Sequence, residues 1–405
     1  MYDAIIVGAR CAGSSTAMHL ARRGYKVLLT DRATFPSDTI STHMVWSPGL
    51  AYLKRWGLLD AVANSNCPAI REIAFDMGEF VLQGRTPPVD GMDIHYCVRR
   101  TVLDKILVDA AARAGAEVRE GFTVEELILD EGHVTGVRGR SRNHTSSEES
   151  ARVVIGADGQ HSLVARSVNA TEYNPRPAYS CLYYSYWSGV RADTAEYHIG
   201  RGCGAGAFPT NDDLTCVIVA HGISQFPNFK TDVERNYEAS LSIDARFAEK
   251  VRCGRREERI TGTADIAGFF RRPFGSGWAL VGDAGYHKDP VTAQGITDAF
   301  RDAEALADAL DDVFADRRPY DQALGAYERR RNEAVMPMYE LTCQFAQLDP
   351  PPDVLALMSV LRDNRIERER FFGAFTGSVP VPEFFSPENL ARIMGNAESC
   401  NSPRP

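Results

Sequence analysis

Residues Tyr2 to Asp31 read YDAIIVGARCAGSSTAMHLARRGYKVLLTD, and the order of residue types in this stretch decides the fold. Ala4 to Val7 form an apolar run of buried-strand type, and Gly8 to Gly13 interrupts it. Ala17, Leu20 and Ala21 then recur at helical spacing, and Lys26 to Leu29 opens a second strand. Strand, glycine turn, helix, strand and acid together make a unit that binds dinucleotides. In such a unit Gly8 makes the tight turn and Gly13 lets the helix lie close to the strand. The unpaired N–H groups of the helix start, at Cys11 and Ala12, then meet a pyrophosphate. Asp31, followed by Arg32, ends the second strand and is placed to accept hydrogen bonds from a ribose diol. Arg10 stands where the middle glycine of G-x-G-x-x-G would be. An arginine there must point its side chain away or use it as a phosphate clamp.

The totals set the frame around this unit. A chain of 405 residues predicts two domains with a helical tail, and 44% hydrophobic residues suffice for sizeable cores. No run of about eighteen apolar residues occurs, and the chain opens on a strand rather than a charged-then-apolar leader. The expectation is therefore a cytoplasmic protein without a membrane span. Nine cysteines without C-x-x-C pairs make neither a disulfide framework nor a zinc pattern, so no metal is expected. A net charge of −9 argues against nucleic acid as the main partner. The basic cluster Arg255, Arg256 and Arg259 is interleaved with Glu257 and Glu258 and reads as solvated surface.

After Asp31 a polar loop runs to Ser41, Thr42 and His43 and ends at a helix-like run through Leu50, Leu53 and Leu58. These three residues either face a ligand at the carboxyl end of the sheet or cap the next helix. Ile70–Phe80 and Met92–Cys97 read as strands with turn signals at Gly78 and Gly91. Arg100 opens a strong helix with Leu103, Ile106, Leu107 and Ala110 at core spacing. An arginine in the first turn opposes the helix dipole, and an anionic partner would resolve that. Further strands cover 117–118, 122–129, 134–140 and 153–155, with Asp130-Glu131-Gly132 as a hairpin turn and 142–150 as a polar loop. Asp158-Gly159 follows an apolar strand. The tract from Tyr179 to His221 is β-rich without helices and reads as the main part of an antiparallel substrate domain, its row of Tyr183, Tyr184, Tyr186 and Trp187 either lining a pocket or packing a core. Trp278 to Gly285 repeats the strand-glycine-acid pattern at Gly282-Asp283. Pro290, Gly295 and Ile296 follow, opening a long amphipathic helix. From about 318 the pattern is helical, with breaks at Pro337, Pro350–Pro352 and Pro380.

As a set, these motifs resemble the FAD-dependent monooxygenases of the para-hydroxybenzoate hydroxylase type, with their relatives among geranylgeranyl reductases and flavin halogenases, over roughly residues 1–345. The resemblance implies an α/β fold: a Rossmann-like FAD-binding domain (1–75 with 98–178 and 265–345), an inserted antiparallel-sheet substrate domain (76–97 with 179–264) and a C-terminal helical region (346–405). It implies FAD as cofactor and NADH or NADPH as reductant. It further implies that a small, aromatic organic substrate is oxygenated by O2 through a flavin C4a-hydroperoxide. Gly8 to Gly13 with Asp31 looks like the ADP-binding turn. Asp158 and Gly159 look like the Asp-Gly motif that touches flavin and is implicated in pyridine nucleotide binding. Asp283 is similar to the aspartate that holds ribityl, Arg100 to the helix-start arginine near the phosphates or ribityl, and the Pro290–Ile296 loop to the one beside the isoalloxazine. A phenol or aniline substrate would call for a base, for which His43, Tyr286 and His287 are candidates. Departures are the histidine shifted by one in Gly285-Tyr286-His287, and the missing Trp-x-Trp-x-Ile-Pro and Tyr-x-Trp-x-Phe-Pro elements of halogenases and reductases. The two missing elements favour hydroxylation over chlorination or double-bond reduction. The alternatives are a reductase of an isoprenoid or other apolar chain, which predicts a long apolar tunnel, and a non-catalytic flavin-binding protein. Substrate identity and oligomeric state stay open.

Overall fold

A computed structural model describes residues 1–401, with side chains to 395. Its centre is a parallel sheet in the order Trp278–Leu280, Ser146–Gly156, Tyr2–Val7, Val27–Asp31, Glu117–Glu120. Both faces of this sheet are covered, which is why its strands read as unbroken apolar runs. Ala4 and Ile6 pack on one side with the helices Cys11–Arg22, Arg100–Arg113 and Gly295–Phe314. Tyr2, Ile5 and Val7 pack on the other with the meander Phe122–Asp130, His133–Ser141.

Strand Ser146–Gly156 serves two sheets. Its second half runs parallel to Tyr2–Val7, and its first half pairs antiparallel with His133–Ser141. The sequence reading of 142–150 as a loop is therefore corrected to a strand from Ser146. That half is solvated, with Glu148 and Glu149 paired to Arg138 and Arg119, so its polar composition resembles a loop.

The second sheet has the order Arg255–Arg256, Ser180–Ser188, Leu214–Gly222, Cys203–Pro209, Ala195–Ile199, Ile73–Asp76, Val81–Gly84. It is antiparallel except where Ala195–Ile199 runs beside Ile73–Asp76. The 70–80 run, read as strand with a turn signal at Gly78, is the first part of a hairpin of Ile73–Asp76 and Val81–Gly84 that turns there, and only Tyr96–Cys97 of the 92–97 run is a strand. One face of the sheet carries Cys181, Tyr183, Val217 and Val219 against the helices Val233–Ser240 and Ala245–Arg252. The other carries Phe75, Tyr184, Tyr186 and Phe208 against the C-terminal helices Pro352–Asp363 and Arg365–Thr376, in one apolar core.

Pro337 does not break its helix, which runs unbroken from Tyr320 to Phe345. Val335 and Tyr339 on either side of it are buried with Phe270 and Tyr286, and this packing holds the helix through the proline. Eight described cysteines are free, five of them buried. Among the described residues no helix is long and apolar enough to cross a membrane.

Candidate cofactor and substrate site

Three glycine turns, far apart in sequence, meet at the carboxyl ends of adjacent parallel strands. Gly8 has φ +103°, and a Cβ there would stand 2.4 Å from the Ala157 carbonyl oxygen. A Cβ on Gly13 would stand 1.8 Å from the Gly8 oxygen. Gly282, at φ +62°, would bring a Cβ to 2.7 Å from that of Ala12. Helix start, Asp-Gly turn and Gly-Asp turn are thus in mutual contact, at the crevice where doubly wound sheets bind ligands. Asp31 braces the turn, its carboxylate accepting from the N–H groups of Ala9 and Ala33 at 2.8 Å each, with Arg32 exposed beside it.

The Arg10 guanidinium is engaged by protein groups, reaching Asp104 at 2.6 Å and the backbone and side chain of Ser37. Asp104 is fully buried and also binds Arg100 at 2.8 Å, one helical turn back, while Cys11 Sγ donates to it at 3.4 Å. The anionic partner that Arg100 called for is thus a carboxylate of its own helix. Burial pulls the Arg100 guanidinium down, but its neighbours, Asp104 foremost and Cys11 and Asp283 after it, together hold it above its ordinary value. Asp104 escaped the sequence reading, although its i,i+4 spacing from Arg100 was a usable signal.

Asp158 caps the helix Leu163–Ser167, one oxygen accepting from Leu163 N–H at 2.6 Å. Its other oxygen, Oδ1, is buried without a partner, and burial pushes the carboxyl up. Gly159, at φ +78°, completes the turn. The Asp283 carboxylate is exposed and makes no hydrogen bond among the described residues. Gly295 is exposed at the start of the 20-residue helix Gly295–Phe314, with open space around its Cα; Ile296 behind it is buried.

Ser41 and Thr42 are half-buried, and His43 is fully buried with φ +62°. Ser41 accepts from the His43 N–H, Nε2 of His43 pairs with the Tyr186 hydroxyl at 2.7 Å, and Nδ1 has no partner. Burial, then the charges of Arg100 and Arg99, push His43 down to about 3, so it is neutral at ordinary pH. Tyr286 is buried and donates to Asp298, which Lys288 and Arg301 also bind; His287 is half-buried with Nδ1 at the Ala267 carbonyl. These two form contacts separate from the glycine turns.

A pH dependence follows. Unfolded histidines take a proton near 6.5, whereas burial holds folded His43 at about 3 and His19 and His95 at about 4. Below pH 6.5 the unfolded chain then binds more protons, and stability falls with pH. Asp289 works the other way, because burial raises it to about 6 and the native state keeps its proton between there and 3.8. Those three groups less Asp289 leave a loss approaching about two protons near pH 5. His221, also pushed down by burial, adds to it, and Asp158 and Asp302, also raised by burial, subtract from it. The urea midpoint should fall clearly from pH 7 to pH 5, and an unchanged midpoint would contradict the assignment.

The loop from Asp289 to Gly295 is anchored from four sides. Ser180 donates to Asp289 at 2.9 Å, Trp46 Nε1 to the Thr292 carbonyl at 3.0 Å, and Gln294 to the Phe375 carbonyl at 2.9 Å, while Thr292 and Thr342 share a hydroxyl bond of 2.7 Å. Ala293 sits at φ +53°, a conformation that favours glycine, and this anchoring holds it there. Behind Pro290, Val291 and Ala293 lies a cavity of about 250 Å³. Phe75, Tyr197, Phe208, Phe345 and Phe375 wall it in edge-to-face contacts, and the C-terminal helices roof it with Leu357, Met358 and Phe371. Thr42 lines it; His43, Tyr286 and His287 do not.

Fold and turns define an adenine-dinucleotide-binding protein of the flavin type, and the residues fit that cofactor. The glycines leave room for close approach, Asp158 offers a buried free acceptor, Asp283 is unengaged, and Gly295 opens onto empty space. The chain belongs to the FAD binding domain family, whose model matches residues 1–342, within a superfamily of FAD-dependent oxidoreductases. It is 31% identical over 358 residues to digeranylgeranylglycerophospholipid reductase 2 of Methanothermobacter thermautotrophicus, covering 86% of this chain and 87% of that one. It superposes on the myxobacterial chondrochloren halogenase with a TM-score of 0.79 at 21% identity, covering 100% and 98% of the two chains. PqsL of Pseudomonas aeruginosa, solved with 2-aminobenzoylacetate, gives 0.72 at 23%, covering 92% and 99%. At these identities the structures share the fold.

Proposed function

We propose that this chain is an FAD-dependent monooxygenase that uses NAD(P)H and O2 to oxygenate a small apolar molecule. The observation that carries this reading is the cavity behind Pro290–Ala293. FAD, when bound, takes hydride from a nicotinamide and activates O2 for transfer to carbon. Gly8, Gly13, Asp31 and Arg32 would hold its adenosine and pyrophosphate end, with Arg10 and Arg100 fixing the helix starts around it. Asp283, Asp158 and Gly159 would hold its middle, and Ser41, Thr42, Gly295 and Ile296 its ring end. Pro290 gives the substrate a rigid wall, and the helix start at Gly295 favours negative charge nearby. The apolar lining keeps water out of the reaction space.

Two features narrow the substrate. None of the three candidate bases lines the cavity, so none of them would ionise a phenol there. A cavity of about 150 Å³ holds benzene, so this one holds roughly ten carbons by proportion. That is far short of the paired geranylgeranyl chains in the name of the methanogen relative. The second reading, reduction of a double bond without oxygen, draws on the 31% identity to that relative. Turnover of a panel of ten-carbon hydrocarbons and terpenoids with NADPH under ¹⁸O2 separates the two. One labelled oxygen in the product is expected. A product that gains two hydrogens and no label, formed equally without O2, would overturn the proposal.

A further inference from the structure

We infer that the cavity admits only molecules without an anionic group, and that Asp349 at its mouth adds to this preference. The inference rests on the cavity being the substrate site, as proposed above, and adds the charge class of the substrate.

The cavity has a wet end and a dry end. Gln344, Gln347 and Asp349 line it and are exposed, whereas Phe75, Ala293, Phe371 and Phe375 line it and are buried. Entry is therefore at the linker between the helices Tyr320–Phe345 and Pro352–Asp363. Leu348 in that linker is held at φ +54°, its carbonyl accepting from Gly202 N–H at 2.8 Å. This bond ties the linker to the hairpin across the mouth. A Cβ on Gly204 would stand 3.9 Å from Leu348 Cδ2, so these two residues face each other across the opening.

The lining contains no lysine or arginine. Its histidine, His198, commits its Nδ1 to Asp244, and Arg201 of the neighbouring hairpin does not line the cavity. A carboxylate or phosphate inside would be buried without a counter-charge, which is strongly unfavourable. At the mouth it would meet Asp349. An uncharged or cationic head meets two carboxamides and a carboxylate there, all able to accept hydrogen bonds.

The test uses the FAD-loaded full-length protein and four probes with one ten-carbon tail: decanol, decylamine, decanoate and decyl phosphate. Binding is read by calorimetry and by the shift in thermal midpoint, so turnover is not required. Decanol and decylamine should bind, and decanoate and decyl phosphate should bind about a hundredfold more weakly or worse. In Asp349→Lys, an exposed position where folding is not at risk, decanoate should gain on decylamine by about fivefold, the scale of one surface charge pair. Gly204→Leu, which grows a side chain into the cavity, should abolish binding of all four. Decanoate or decyl phosphate binding as tightly as decanol would overturn the inference, as would failure of all four to bind. If binding survives Gly204→Leu, the probes sit elsewhere, and it is the assignment of the cavity as the substrate site that fails.

Discussion

Replacing Asp104 by alanine is expected to cost about 3–5 kcal/mol of folding stability, the penalty for breaking a buried ion pair from one side. FAD should be lost with it. Asp104 is wholly buried and is the shared counter-charge of Arg10 and Arg100, the latter itself buried. Removing it leaves Arg100 charged in an apolar interior and frees Arg10 from the loop at Ser37, so two helix starts lose their registration together. Asp104→Asn retains the shape and some hydrogen bonds and should fall between wild type and alanine. Urea unfolding and the FAD retained through gel filtration measure the two consequences. A loss below about 1 kcal/mol in the alanine variant would mean that the cluster adds little beyond an exposed pair.

Gly13→Ala should be nearly as damaging, for a steric reason. The added methyl would lie 1.8 Å from the Gly8 carbonyl oxygen, a backbone atom that cannot rotate away. The helix Cys11–Arg22 must then lift from strand Tyr2–Val7, at about 1–3 kcal/mol or more for an overpacked contact. The turn proposed to cradle the pyrophosphate opens in the process. Gly295→Ala is the informative partner, because its methyl meets nothing within 4 Å in the protein alone. It should leave the apoprotein as stable as wild type and still weaken FAD binding, measured by fluorescence titration. Full FAD affinity in Gly295→Ala would take that helix start out of the cofactor site.

The parts legible in sequence are those where one local constraint dictates residue type. Gly8 and Gly13 are such positions, because the backbone approaches leave no space for a Cβ, and the two-faced strands announce themselves as apolar runs. Arg10 could be posed only as a choice, since its partner lies 94 positions away in the chain. The cavity was illegible for a related reason. Phe75, Phe208 and Phe375 come from three distant segments, and each alone is indistinguishable from an ordinary core aromatic. The solvated strand from Ser146 and the continuous helix across Pro337 were misread because local composition favours loop and break there. Pairing and packing with remote residues decide otherwise.

The roof of the cavity has a consequence for how such enzymes diverge. The match to the FAD binding domain family ends at residue 342, whereas Leu357, Met358, Phe371 and Phe375 all lie beyond it. The roof of the cavity is thus encoded beyond the length that carries the glycine turns, while its walls, Phe75, Tyr197, Phe208 and Pro290 among them, lie within that length. Mutations that accumulate in the last helices can reshape the guest without disturbing a glycine turn, and a lineage can explore new chemistry on an unchanged redox engine.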